Sequence, residues 1–180
     1  MVHNSFLGRK IMGERTPRNV EEFRQMVPLT TYQDYEPYLS EQREDVLPEK
    51  PYLWVHTSGR SGRYKWTPYT ERALEITSRH ALGGLMFAAA SRKGDVQLHP
   101  GVRMLLLVAP RPYVTGAIVH YISTHRFSGR VMPPLAEADA MEFRDRVTLG
   151  LEMALREGVD QVFTIASVML KMPSLEPSKP

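Results

Sequence analysis

The amino-acid sequence predicts an α/β fold, because short strand-like runs alternate along the chain with longer segments of helical periodicity. Strand-like runs lie at residues 52–56, 103–109 and 161–165, and helical patterns lie between them at 71–91 and 139–157. Apolar residues make up 42% of the 180 residues and charged residues 24%, which is typical of soluble globular domains. The chain is therefore expected to build a real core.

Residues 1–50 are predicted to form a helical, partly exposed segment before the α/β core. Two helix starts are indicated by a capping residue followed three residues later by an acidic one. They are Asn19 with Glu22, and Thr31 with Asp34. The first should open a helix from Val20 to about Met26, and the charged stretch 41–50 should be an exposed connector.

The α/β core is expected to span residues 51–172. Tyr52–His56 is aromatic and β-branched, so we predict a strand there, with a partner strand near Tyr64–Thr67. Thr70 should cap a long helix from Glu71 to about Ser91. Its apolar face consists of Leu74, Ala81, Leu82, Leu85, Met86 and Ala89.

Five more elements are expected in the remainder of the core. Residues 103–109 are continuously apolar, which favours a buried strand. A short helix should follow at 116–123, and Asp139 should open a helix that runs to Glu157. A strand at 161–165 and one last helical turn complete the prediction. The proline-rich residues 173–180 are expected to form a disordered tail.

Composition excludes several classes of function. The longest apolar run, residues 104–109, is far too short to span a bilayer, so we expect no membrane association. The sequence has no cysteine, which excludes disulfides and agrees with a cytoplasmic location. His120 and His125 are five residues apart, which does not place them on one helix face, so no metal site is expected.

The informative chemistry lies in residues 57–65, Thr-Ser-Gly-Arg-Ser-Gly-Arg-Tyr-Lys. Glycines let backbone N–H groups approach phosphate oxygens closely, hydroxyls add donors, and a lysine adds a compact positive charge. The segment is not a Walker A motif, since no glycine followed by Lys and Ser or Thr lies five residues after Gly59. From these residues alone, a flexible hairpin loop with no ligand remains the alternative.

The same segment resembles the phosphate-binding loop of adenylate-forming enzymes, written [ST]-S-G-[TS]-[TS]-G-x-x-K. The matching positions are Thr57, Ser58, Gly59, Ser61, Gly62 and Lys65. Residues 23–38 and 66–70 resemble stretches of the auxin-responsive promoter family, the branch that contains plant acyl-acid amido synthetases and their bacterial relatives. The resemblance covers most of residues 20–170.

The resemblance implies part of the N-terminal domain of an ATP-dependent acyl-acid ligase, with the phosphate loop in a β-hairpin. Such enzymes convert ATP and a small carboxylic acid into an acyl-adenylate and pyrophosphate, and then pass the acyl group to an amine or thiol. Lys65 would be the catalytic residue that offsets charge on the departing pyrophosphate. Mg²⁺ would be required, and its protein ligand is expected outside this chain.

The sequence departs from the family pattern in two ways. Arg60 stands where the family usually has Thr or Ser, and it is either an additional phosphate clamp or a sign of decay. The family's later motifs, for the adenine, the ribose and magnesium, do not appear among the 180 residues. The chain is therefore expected to be an N-terminal portion that is inactive alone.

Two alternatives remain open. One is a non-enzymatic module that binds anions or nucleic acid, because cations and aromatic rings alternate in Arg60, Arg63, Tyr64, Lys65 and Trp66. The net charge of +3 is low for a dedicated nucleic-acid binder, so we do not expect a nucleic-acid partner. The other alternative is a structural remnant without activity.

Overall fold

The computed structural model of the chain describes residues 4–13, 15–59 and 62–171. The chain divides into two compact units, Met1–Ala73 (unit 1) and Leu74–Pro180 (unit 2). Arg60 and Ser61 of the predicted phosphate loop, and the predicted tail at 173–180, lie outside the described residues.

Helices and turns form the first part of unit 1. Asn19 caps its helix as predicted, since its side-chain oxygen accepts from the N–H of Glu22 at 2.8 Å. Thr31 and Asp34 form the predicted capping box, although around a 3-10 turn. The helices are α1 Phe6–Met12, α2 Val20–Met26 and α3 Glu36–Leu39, and the 3-10 turns are Tyr32–Asp34 and Glu44–Val46.

The core of unit 1 is small and unites distant parts of its sequence. Leu7, Leu39 and Val46 are buried together, and aromatic side chains including Trp54 pack against them. Val46 is only 1% exposed, so the prediction that residues 41–50 form an exposed connector is wrong at this position. An apolar side chain within a charged stretch was drawn into the core by the hydrophobic effect.

A β-hairpin completes unit 1. Strand β1, Leu53–His56, pairs antiparallel with β2, Trp66–Tyr69, and His56 lies opposite Trp66. The second strand begins two residues later than predicted. Because Trp54 packs on the small core, the hairpin groups with the N-terminal helices, whereas the sequence suggested a division at residue 50.

The rest of the chain alternates helices and strands, so the mixed α/β class is confirmed. The helices are α4 Glu71–Ala88, α5 Val114–His125, α6 Leu135–Ala138, α7 Phe143–Glu157 and α8 Ala166–Met169. The strands are β3 Ala90–Arg92, β4 Asp95–Val96, β5 Arg103–Leu107, β6 Arg130–Met132 and β7 Gln161–Thr164. Among the described residues, no helix combines the length and the apolar character needed to cross a membrane.

A three-stranded parallel sheet organises unit 2, in the order β6-β5-β7. Strand β5 lies in the middle and is almost fully buried, as its continuously apolar sequence predicted. A buried hydrophobic cluster joins side chains of the sheet to those of α7. It consists of Leu105, Leu107, Met132, Val147 and Met153.

Helices α4 and α7 differ most from their predicted boundaries, whereas α5 extends two residues beyond its predicted range at each end. Helix α4 ends at Ala88 because residues 90–92 turn back and pair with β4 around Gly94, whose φ is +83°. Asp139 does not open α7. It follows α6, and its carboxylate binds the guanidinium of Arg111 at 2.5 Å.

Candidate functional site

The predicted phosphate loop is closed at its neck by Thr57 and Lys65. The N–H of Thr57 donates to the carbonyl oxygen of Lys65 at 3.2 Å. The N–H of Lys65 lies 3.4 Å from the Thr57 hydroxyl oxygen, a long hydrogen bond. These contacts extend the β1-β2 ladder, so the first and last predicted site residues lie side by side.

Two glycines shape the loop. Gly59 has φ +63° and Gly62 has φ +92°, a region that L side chains rarely adopt. The N–H of Gly62 donates to the carbonyl oxygen of Gly59 at 2.8 Å. A Cβ atom at Gly59 would also lie 2.8 Å from a ring carbon of Tyr64. The backbone and the neighbouring ring therefore both require glycine at position 59.

An aromatic cluster supports the base of the loop. His56 is 5% exposed, and its ring stacks on Tyr64 with 4.2 Å between centroids. The edge of Trp66 meets the same imidazole at 4.8 Å. Both aromatic rings thus pack on His56, and Tyr64 remains 50% exposed. His56 contributes to the structure of the loop.

Lys65 is exposed and reaches toward the 3-10 turn at residues 32–34. Its ammonium lies 5.5 Å from the centre of the Tyr32 ring, a cation–π contact. Within the parts of the chain that the structure describes, no carboxylate lies within ion-pair distance of this ammonium. Its positive charge is available to an anionic ligand.

Tyr32 connects the turn to the hairpin. Its hydroxyl donates to the carbonyl oxygen of Trp66 at 3.2 Å. Partial burial raises the pKa of Tyr32 above its ordinary value, and the nearby negative charge of Glu36 raises it further. The phenol therefore stays protonated at neutral pH and keeps this hydrogen bond.

An open cleft of about 560 Å³ lies between the loop and the 3-10 turn. This volume is in the range of small-molecule sites. Its walls carry two cations, one carboxylate, hydroxyls and an amide. The lining residues are Thr31, Tyr32, Gln33, Glu36, Gly62, Arg63 and Lys65.

The turn that lines this cleft is fixed by its own capping box. The Asp34 carboxylate accepts from the Thr31 N–H at 2.7 Å and from the Thr31 hydroxyl at 3.1 Å. The backbone hydrogen bond, followed by the hydroxyl contact, lowers the pKa of Asp34 below its ordinary value. Asp34 is thus engaged in holding the turn.

The structure brings some predicted site residues into the cleft and adds others. Gly62 and Lys65 line it, Thr57 closes the neck, and Ser58 is exposed on the loop. Tyr32, Gln33 and Glu36 were not predicted as site residues, although they lie in the stretch 23–38 that carries the family resemblance.

The described residues contain no group of three or more His, Asp or Glu side chains that could hold a metal ion. Among the described residues that line the cleft, Glu36 supplies the carboxylate. The expectation that the protein ligand for Mg²⁺ lies outside this chain stays a prediction.

Comparison with protein families gives one match. Residues 3–171 match the model of the GH3 family N-terminal domain. No curated protein and no solved structure shows significant similarity to the chain.

Proposed function

The chain belongs to the GH3 family, the auxin-responsive promoter family of acyl-acid amido synthetase-like proteins, and on this premise we propose that its 57–65 loop binds the polyphosphate of ATP in an acyl-acid ligase. In this reaction a carboxylate oxygen attacks the α-phosphorus of ATP. The bond to the bridging oxygen breaks, and acyl-adenylate and pyrophosphate form. The acyl group then passes to an amine or thiol, and AMP leaves.

One observation carries the proposal. Lys65 lines an open cleft together with Arg63, and its ammonium forms no ion pair with a carboxylate among the described residues. A surface lysine that only served solubility would not need a glycine-shaped loop beside it. Placed cations stabilise the charge that develops on a departing pyrophosphate.

The loop would supply further donors. Glycines at 59 and 62 place no side chain between the backbone and a phosphate, and the exposed hydroxyl of Ser58 adds a donor. In this proposal Ser61 contributes a second hydroxyl, and the Arg60 guanidinium contributes an additional phosphate contact.

A bound Mg²⁺ would supply positive charge that offsets the negative charge of the phosphates. Glu36 supplies the carboxylate among the described residues that line the cleft, and the described residues include no group of three or more His, Asp or Glu side chains that could hold a metal ion. The proposal therefore assigns to this chain the loop's contacts with the phosphates and no metal ligand.

The test is a direct titration of the purified chain with ATP and with pyrophosphate. Saturable binding is expected, and Lys65→Ala should weaken it by about tenfold or more, because a hydrogen bond to a charged group is worth about 1.5–3 kcal/mol. Lys93→Ala is the matched control, since Lys93 is an exposed lysine on the β3-β4 turn. Unchanged affinity in the Lys65 variant would remove the loop from the proposal.

A competition experiment separates this proposal from a nucleic-acid-binding module. Pyrophosphate should displace labelled ATP at concentrations at which an oligonucleotide does not. A nucleic-acid module would instead prefer the oligonucleotide and lose affinity steeply with salt. That second outcome would favour the module.

A further inference from the structure

Arg146 is a buried cation in unit 2 with an incomplete set of partners. It lies on α7, and only 4% of it is exposed. One terminal nitrogen, Nη1, donates to the carbonyl oxygen of Val108 at 3.0 Å. The other two nitrogens, Nε and Nη2, are buried and have no acceptor among the described residues.

Arg146 lines a small cavity at the carboxyl end of β5. The cavity has a volume of about 20 Å³ and is lined by residues that include Leu106, Val108, Pro110, Gly116, His120 and Arg146. This volume exceeds the roughly 10–15 Å³ that one water molecule needs, and it admits one small monatomic ion. The Nδ1 atom of His120 is likewise buried without a partner among the described residues. Arg146 and His120, which carry these three unpartnered nitrogens, thus line the same cavity.

The charges around the cavity do not balance. Asp139 is the acidic residue that lines it, and its carboxylate binds Arg111 at 2.5 Å. No carboxylate in the described ranges lies within ion-pair distance of Arg146. One positive charge is therefore left over. Burial of an unpaired charge is costly, whereas a counter-ion in the cavity would remove most of that cost.

The protonation states suit an anion rather than a cation. An arginine remains protonated in proteins. Burial, and secondarily the charge of Arg111, lowers the pKa of His120, so this imidazole is neutral at neutral pH and can present an N–H on Nδ1. The first turn of α5, with Gly116, also lines the cavity, and the N-terminal end of a helix favours negative charge.

We propose that this cavity is a binding site for a small monovalent anion of the size of chloride, held by Nε and Nη2 of Arg146 and by Nδ1–H of His120. The ion would neutralise Arg146 and stabilise the junction of β5, α5 and α7. This site lies in unit 2, and it does not depend on the function proposed for the 57–65 loop.

The first test compares thermal unfolding of the chain in sodium chloride and in sodium gluconate at equal ionic strength. Gluconate is too large for the cavity, so the melting temperature should shift upward in chloride and saturate with concentration. The shift should be lost in Arg146→Met. Arg144→Met is the matched control, because Arg144 is an exposed arginine on the same helix, and this variant should keep the shift.

A crystallographic measurement tests anion binding in the cavity if Arg146→Met does not fold. Crystals of the unaltered chain grown in bromide should show an anomalous peak within hydrogen-bonding distance of Arg146 Nη2. A water molecule at that position without anomalous signal, or equal melting temperatures in chloride and gluconate, would overturn the proposal.

Discussion

The ammonium of Lys65 lies 5.5 Å from the centre of the Tyr32 ring, while the Tyr32 hydroxyl donates to the carbonyl oxygen of Trp66, the next residue of the hairpin. One tyrosine thus contacts both the lysine side chain and the start of β2. The ring limits the directions that the flexible lysine can take. Because a positioned cation loses less entropy on binding, this relationship should matter for affinity.

Replacing Tyr32 should therefore weaken polyphosphate binding. An exposed cation–π contact is worth about 0.5–1 kcal/mol, so Tyr32→Leu should reduce affinity for pyrophosphate about two- to fivefold. Tyr32→Phe keeps the aromatic ring, so it should lose less affinity for pyrophosphate than Tyr32→Leu. Tyr52→Leu, at an exposed tyrosine of the same unit, serves as the control. Titration calorimetry measures the pyrophosphate affinity of all three variants. Equal losses of affinity in Tyr32→Phe and Tyr32→Leu would contradict the proposed contribution of the aromatic ring.

Elements with strong local signals could be predicted from the sequence. Helix α2 was predicted from its capping residues, and β5 from its unbroken apolar run. Strand β6 and the β3-β4 hairpin were not predicted. Strand β6 has three residues and follows no clear periodicity, and it exists because β5 offers a parallel edge for pairing. Such short strands depend on tertiary context, which local patterns do not contain.

The same distinction applies to the candidate site. Residues of the 57–65 loop are neighbours in sequence, so their combination of glycine, hydroxyl and lysine could be noticed directly. Tyr32 and Glu36 reach the same cleft from a different turn, about thirty residues upstream. Nothing in local spacing links the two segments. Their contact follows from the small core that holds the hairpin against the N-terminal helices.

The requirement for glycine at position 59 can be tested by Gly59→Ala. A positive φ costs an L residue about 1–2 kcal/mol, and the added Cβ would press on the Tyr64 ring. Unfolding in urea should show a loss of stability of at least that size. Gly84→Ala is the control, since Gly84 lies within α4 with open space around it. This variant should gain up to about 1 kcal/mol in its free energy of unfolding.

Val46 should contribute to stability despite its charged neighbours. It is 1% exposed, so Val46→Ala removes two buried methyl groups and should cost about 1–3 kcal/mol. Val20→Ala provides the comparison, because Val20 is 58% exposed, and its effect should stay within about 0.5 kcal/mol. Urea unfolding measures both. Equal effects would mean that the connector is not part of the core.

Asp160 should make stability depend on pH in the acid range. Its carboxylate accepts from the Arg103 N–H at 2.8 Å, from Nε at 3.0 Å and from Nη2 at 2.8 Å. The Arg103 side chain, and then its backbone N–H, hold the pKa of Asp160 well below the value of about 3.9 in an unfolded chain. Below pH 4 the unfolded chain therefore binds more protons than the folded one.

The stabilisation by Asp160 should be fully present above about pH 4 and should disappear as the pH falls toward the lower pKa of the folded state. Asp160→Asn should accordingly lower the melting temperature at pH 7, and the gap to the unaltered chain should narrow below pH 4. Asp145→Asn, at an exposed aspartate of α7, should show a smaller difference at pH 7. Thermal unfolding followed by circular dichroism from pH 7 to pH 2.5 measures this dependence. A gap that stays constant over that range would mean that the ionised carboxylate does not stabilise the fold.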